Sequence, residues 1–174
     1  MAIQIGSMRN SINNIYQKLI NDEELIRLLY YYPQSSTTPD PLDSSLPNLV
    51  DNESETYWEI VQERVLLTEK INNIEDKKLC RIYMFTGSRR PDYKNHLLVT
   101  QEVYIYVFVH EEYDKDLRLL WISDKIAELL ALEPVAGIGK LEYAGGDPRD
   151  APKEYVSYEH RYRFSTKKDW FKWS

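Results

Sequence analysis

The chain has 174 residues, enough for one domain that buries roughly two thirds of the surface its unfolded form exposes. Its 22 Lys and Arg stand against 28 Asp and Glu, and a net charge of −6 argues against a dedicated DNA or anionic-membrane binder, although local basic patches stay open. Cys80 is alone, which leaves no disulfide framework or thiolate metal cluster and fits a reducing cytoplasm. The opening MAIQIGSMRN lacks the apolar core of a signal peptide, and no run reaches the roughly 18 apolar residues of a membrane span. Fourteen Tyr and four Trp are many for this length and hint at partners, since aromatics bring stiff contact area with a polar tip.

Met8, Ile12, Ile15 and Leu19 recur at helical spacing opposite Asn10, Asn13, Asn14 and Gln17, which predicts an amphipathic helix from Met8 to Ile20. Asn21 followed by Glu24 predicts a second helix start, with Leu25, Leu28 and Leu29 inward and Pro33 as its stop. From Gln34 to Glu53 prolines, hydroxyls and scattered acids predict an extended excursion anchored by Leu42, Leu46 and Leu49. It is either a floppy loop or a segment ordered by a neighbouring subunit. Ser54 to Glu69 reads as a short helix with Trp58, Val61 and Val65 on one side, yet its composition also tolerates a strand.

Leu79 to Thr86 is a predicted strand, with Cys80, Ile82 and Met84 on one face, Tyr83 and Phe85 on the other, and Arg81 at a solvated edge. Gly87 to Leu97 reads as a long hairpin tip, and Arg89, Arg90, Lys94 and His96 make it the most basic loop of an acidic chain. Val99 to His110 is the strand around which the rest is arranged. Its odd positions are mostly aliphatic and Tyr104, Tyr106 and Phe108 lie opposite, so it belongs in the middle of a sheet covered on both sides, the second cover being the chain itself or a neighbouring subunit.

Leu117 to Leu132 carries the best helical stripe, Leu119, Ile122, Ile126, Leu129 and Leu130, with Asp116, Lys125 and Glu128 outward and Pro134 beyond its end. A short strand at Lys140 to Tyr143 precedes the loop-like AGGDPRDAP. Tyr155 to Ser165 alternates, with Val156, Tyr158, His160, Tyr162 and Phe164 inward and Ser157, Glu159, Arg161 and Arg163 outward. The sum is an α+β domain spanning 1–174, an antiparallel sheet with a long helix across it and the N-terminal helices nearby. The tail at 166–174 places Trp170, Phe171 and Trp173 among lysines; it docks either on the chain's own helix or on a partner.

No catalytic constellation emerges. His96, His110 and His160 are far apart and fall in no metal-ligand spacing. Ser88 in TGSRR lacks a nucleophile elbow, and GIGK around Lys140 lacks the frame of a phosphate loop. A metal-dependent nuclease could be sought in Asp92, Lys94 and Glu102, but PDYK is too short to carry it and Glu102 has no second close acid. We expect no cofactor, metal or catalytic site.

The order of elements, together with CRIYMF, DLRLLWISDKIAELLA, GIGKLEYAGGDPRDAP and YVSYEHRYRF, resembles the neck proteins of tailed bacteriophages, in particular tail terminator or head-tail joining proteins of long-tailed phages. The resemblance covers most of Leu79 to Thr166 and rests on element order and texture, not on a diagnostic motif; the excursion at 34–53 and the tail lie outside it. It implies a non-enzymatic virion protein, a homo-oligomeric ring usually of about six copies that caps the tail tube protein and meets the head connector, made in the host cytoplasm and not in a membrane. Acidic charge would let genomic DNA slide through such a ring without sticking. In that setting Arg89, Arg90, Tyr93 and Lys94 would contact an axial neighbour, while Leu42, Leu46 and Leu49 with Trp170, Phe171 and Trp173 would clasp adjacent subunits. Two other classes stay open, a nucleic-acid or small-ligand binding module from a mobile element built on the same basic loop, and an enzyme sensitive to a chelator or to loss of a histidine.

Overall fold

β-Branched and aromatic residues alternate over thirteen positions from Leu98 to His110, and this strand, β3, occupies the middle of the sheet. A computed structural model describes residues 7–72, 74 and 77–167. Along these the order is α1 (Ser7–Ile20), α2 (Glu23–Tyr30), α3 (Glu55–Arg64), β1 (Val65–Leu66), β2 (Arg81–Pro91), β3 (Leu98–His110), α4 (Arg118–Leu130), β4 (Ile138–Pro148) and β5 (Tyr155–Lys167). The five strands stand in the order β1-β2-β3-β5-β4. Only β1 is parallel to its neighbour; the other three pairings are antiparallel. The α+β class expected from the periodicities is therefore the observed one.

The aliphatic face of β3, Val103, Ile105, Val107 and Val109, joins Cys80, Ile82 and Met84 under the helices. Ile15 and Leu19 of α1, Leu25, Ile26 and Leu29 of α2, Ile60 and Val61 of α3, and Ile122, Ile126 and Leu130 of α4 complete this core. Each such side chain taken out of water contributes roughly 1.5–3 kcal/mol. The opposite face carries a second, aromatic layer of Tyr83, Tyr106, Phe108 and Tyr155, covered in part by Ile74. Tyr155 ties that cover down by donating its hydroxyl to the carbonyls of Ile74 and Lys77, at 2.7 and 2.6 Å. The chain thus supplies part of its own second cover, at the end of β3 away from the hairpin.

Three arginines hold the helices together. Arg118 is wholly buried and donates to the carbonyls of Leu28 and Tyr31 at 2.5 and 2.8 Å while pairing with Asp116 at 2.7 Å. Arg64 donates to the carbonyl of Leu29. Together they satisfy carbonyls at the C-terminal end of α2, where the backbone has no partner of its own and the helix dipole favours a cation. Arg27 reaches the other way, to the carbonyls of Asp43 and Leu46 at 2.8 and 2.7 Å. With Leu42 and Leu49 packed on the main core, the excursion at 34–53 is ordered from within the chain.

Several local expectations are corrected. The cap of α2 is Asp22, which accepts from the Leu25 amide at 2.8 Å, one residue after Asn21, because a carboxylate at this position also suits the helix dipole. Ser54 caps α3, whose buried side chains are Tyr57, Ile60, Val61 and Arg64, while Trp58 is 38% exposed. The helix then yields to β1 at Val65, so the helical and strand readings of this stretch each hold for part of it. Arg81 is buried rather than at a solvated edge. Lys125 is buried as well, drawn in by Asp22, Glu24 and Glu128 at 3.6, 2.6 and 3.2 Å, which join α4 to the start of α2. The loop-like AGGDP belongs to β4, which absorbs it through register shifts before Glu142 and before Gly145. On β5 the alternation holds at His160, Tyr162 and Phe164 but reverses near its start: Val156 is exposed, whereas Ser157 and Glu159 are buried against the aromatic face. The reversal follows the second cover, which periodicity within one strand does not register.

His110 is buried; its Nδ1 accepts from the Glu112 amide at 3.2 Å and its Nε2 lies 3.4 Å from the Glu154 carboxylate. His160 sits under α4 with Nε2 2.9 Å from the Ser123 hydroxyl, and burial pushes its imidazole down to about 4. Cys80 is core, its thiol pushed up to about 12 by burial.

Candidate functional site

The predicted basic loop is a two-stranded arm. β2 does not stop at Thr86 but continues to Pro91, paired to β3 as far as Pro91 opposite Val99. A bulge between Thr86 and Arg89 lets it do so. Gln101, 2% exposed, fills the bulge by donating to the carbonyls of Gly87 and Ser88 at 3.2 and 3.4 Å. Glycine is needed at 87: a Cβ there would stand 2.0 Å from the Tyr104 ring.

The turn at 92–97 is built from its own side chains. Asp92 Oδ1 accepts from the amides of Lys94 and Asn95 at 2.7 and 3.0 Å, and Asn95 Oδ1 accepts from Leu97 at 3.0 Å. These Asx-type bonds fix the backbone without burying anything. Tyr93, at the apex, is 100% exposed. Arg89, Arg90, Lys94 and His96 are exposed around it. The five basic or aromatic side chains of the loop are thus all held outward on a defined scaffold.

Behind the tip lies a groove of about 700 Å³ between the arm and β4. Arg90, Lys94, Lys140 and Arg163 line it with Glu102 and Glu142. Arg163 pairs with Glu142 at 2.7 Å across β5 and β4. Glu102 accepts from the Ser88 hydroxyl at 2.5 Å and from the Tyr104 hydroxyl at 3.3 Å; the Ser88 bond leads in holding its carboxyl below the usual range. The residues of a hypothetical nuclease, Asp92, Lys94 and Glu102, do line one groove, but Asp92 is engaged in the turn and Glu102 with Ser88 and Tyr104. Among the described residues, no group of three or more His, Cys, Asp and Glu side chains could hold a metal ion. No described helix is long and apolar enough to cross a membrane.

Of the predicted contact residues, Arg89, Arg90, Tyr93 and Lys94 come together on the arm. Leu42, Leu46 and Leu49 do not join them; Leu42 and Leu49 lie against the chain's own helical core and Leu46 is half-buried beside them in sequence. Trp170, Phe171 and Trp173 fall outside the described residues. Lys140 and Arg163 were missed as part of the basic groove. Arg163 alternates with inward residues and was legible as outward, but its neighbourhood depends on the β3–β5 and β4–β5 registers, which pair Glu102 and Glu142 with it.

Comparison with known proteins places the chain among phage sequences. It is 27% identical over 168 residues, covering 90% of this chain and 96% of the relative, to the SPbeta prophage-derived uncharacterized protein YomW of Bacillus subtilis (strain 168). The match to the YomW family model runs over residues 22–164, from the cap of α2 almost to the end of β5 and through the whole arm and groove, and so the chain belongs to the YomW family of prophage-derived proteins.

Proposed function

We propose that the chain is a structural virion protein of the phage neck, a ring that terminates the tail tube and joins it to the head connector. The observation that carries this reading is the arm: a rigid, internally hydrogen-bonded hairpin that presents a fully exposed Tyr93 amid cations, in a chain of prophage kinship. An aromatic held outward at no benefit to the fold belongs to an interface, because such a side chain gains most when a partner buries it. The partially open aromatic face of the sheet supports the same reading, since lateral neighbours can finish a cover that Ile74 only begins. The partners are further copies of the chain, the tail tube protein and the head connector, with genomic DNA passing through unbound, and the location is the virion neck.

Light scattering on the purified chain, alone and with tail tube protein of its own phage, tests this. A ring of about six copies, or a monomer that becomes a ring on the tube, is the expected result. A monomer indifferent to the tube would sink it.

A second reading, a nucleic-acid-binding module, is favoured by Lys140 and Arg163 joining Arg90 and Lys94 along one groove. Retention on DNA that collapses with salt, and is lost in an Arg89→Ala, Arg90→Ala variant, would replace the first reading with this one.

A further inference from the structure

Thirty residues from Gln34 to Glu63 contain seven acids and no Lys, Arg or His. The fold turns this run into a surface. Asp51, Glu53, Glu55 and Glu59 are all exposed at the start and along the outer side of α3, with the half-exposed Trp58 among them. Glu63, at the far end of the helix, is already paired with Lys77. Trp58 is tied to the approach to the helix, its indole N–H donating to the Asn52 carbonyl at 3.0 Å.

The basic arm is the complement of this surface in charge and in chemistry. Arg90 and Lys94 oppose the carboxylates, and Tyr93 offers an aromatic contact to match Trp58. The two surfaces stand apart within one subunit. Tyr57, in the first turn of α3, donates its hydroxyl to the Ile20 carbonyl at the C-terminal end of α1, at 2.9 Å, whereas Arg89 on the arm lies 4.0 Å from the Met8 sulfur near the N-terminal end of that helix. The twelve steps from Met8 to Ile20 at a helical rise of about 1.5 Å set those ends about 18 Å apart, roughly twice the screening length in physiological salt, and the tip projects beyond the arm's base. A patch of each sign at opposite ends of a molecule is satisfied by a second copy, head to tail.

We propose that the β2–β3 tip of one copy docks on the acidic α3 surface of the next, with Arg90 and Lys94 facing Glu55 and Glu59 and with Tyr93 packing beside Trp58. The contact is heterologous, so each copy uses one surface as donor and the other as acceptor, and repetition with the right rotation closes a ring. The proposal rests on the ring reading above and adds the surfaces that build it.

Charge reversal tests it by native mass, measured on the full chain at low and physiological salt. In Arg90→Glu, Lys94→Glu, an acidic tip meets an acidic surface; in Glu55→Lys, Glu59→Lys, a basic tip meets a basic surface. Each variant alone should fall to the 20.7 kDa monomer. Mixed in equal amounts they should assemble again, because each tip then finds a surface of opposite sign on the other variant, and the four substitutions in one chain should assemble unaided. All sites are exposed, so folding, read by circular dichroism, should be unchanged. Rings that persist in both variants would overturn this contact and leave the ring reading standing. Loss in both without rescue on mixing would also overturn it, and a wild-type chain that is monomeric throughout, with the tube and without, would overturn both. DNA binding by a wild-type monomer, abolished in the first variant alone, would assign the tip to nucleic acid instead.

Discussion

Arg118 and Arg90 flank opposite ends of β3 and are used in opposite ways. Arg118, near the end that follows His110, is wholly buried and spends its donors on the carbonyls of α2 and on Asp116. Arg90, opposite Thr100 at the other end, is exposed beside a groove whose other cations are Lys94, Lys140 and Arg163. The same guanidinium chemistry serves as internal cement in one place and as presented charge in the other. What separates them is desolvation: a buried cation must find partners inside the chain, whereas an exposed one is free to wait for an external partner. The comparison teaches where to look for function in an acidic chain without a catalytic cluster, namely where charge is held outward by structure that has no need of it.

The largest expected effect breaks the buried side of this comparison. Arg118→Ala strands the Leu28 and Tyr31 carbonyls and the Asp116 carboxylate, and should cost about 3–5 kcal/mol in urea unfolding. A loss below about 1 kcal/mol would mean that α2 is held by packing alone.

His160 gives a pH signature to the same buried side. Its folded imidazole is pushed down to about 4, so the folded chain resists a proton that the unfolded chain accepts near pH 6.5. Stability should be whole above pH 6.5 and decline as pH falls through about 4, by up to about 3 kcal/mol from this residue. His160→Gln, which can keep the contact with Ser123, should flatten that part of the stability-against-pH curve; an unchanged slope would assign acid sensitivity elsewhere.

Gly87→Ala probes the junction between the two regions. The added Cβ meets the Tyr104 ring at 2.0 Å, so the stack of Tyr104 on Phe85 must shift, at about 1–3 kcal/mol and with an altered near-ultraviolet circular dichroism spectrum. Asp114→Ala removes the carboxylate that accepts from the Leu119 amide at 2.9 Å at the start of α4, and thermal melting should register about 1 kcal/mol. Smallest in stability is Tyr93→Ala, within about 0.5 kcal/mol of the parent, since the ring touches nothing it could lose. Native mass rather than melting should respond to it. A clear fall in melting temperature would place Tyr93 with the structural side chains and blur the contrast with Arg118.

Much of the scaffold was legible before any fold was in hand. The central position of β3, its aliphatic and aromatic faces, the Ile122 and Ile126 stripe of α4 and the core placement of Cys80 all follow from periodicity, because a strand repeats every two residues and a helix every 3.6. The arm was legible as a basic projection from its composition. Its length was not, because GSRRP looks like turn sequence and forms strand only through pairing with Val99, Thr100 and Gln101. Lys125 read as outward by the same periodicity that placed Ile122 and Ile126 inward; three carboxylates, two of them from α2, reverse it.

The sequence by itself determined the elements, the two faces of the central strand and the division of charge between an acidic run and a basic loop, since these depend on neighbours along the chain. Only the tertiary structure decided which arginines are cement, that the excursion is pinned by Arg27, that Lys140 and Arg163 share a groove with Arg90, and that the acidic and basic surfaces lie at opposite ends of α1. Those outcomes depend on strand order, register and helix placement, and each is fixed by contacts between residues that lie far apart in the sequence.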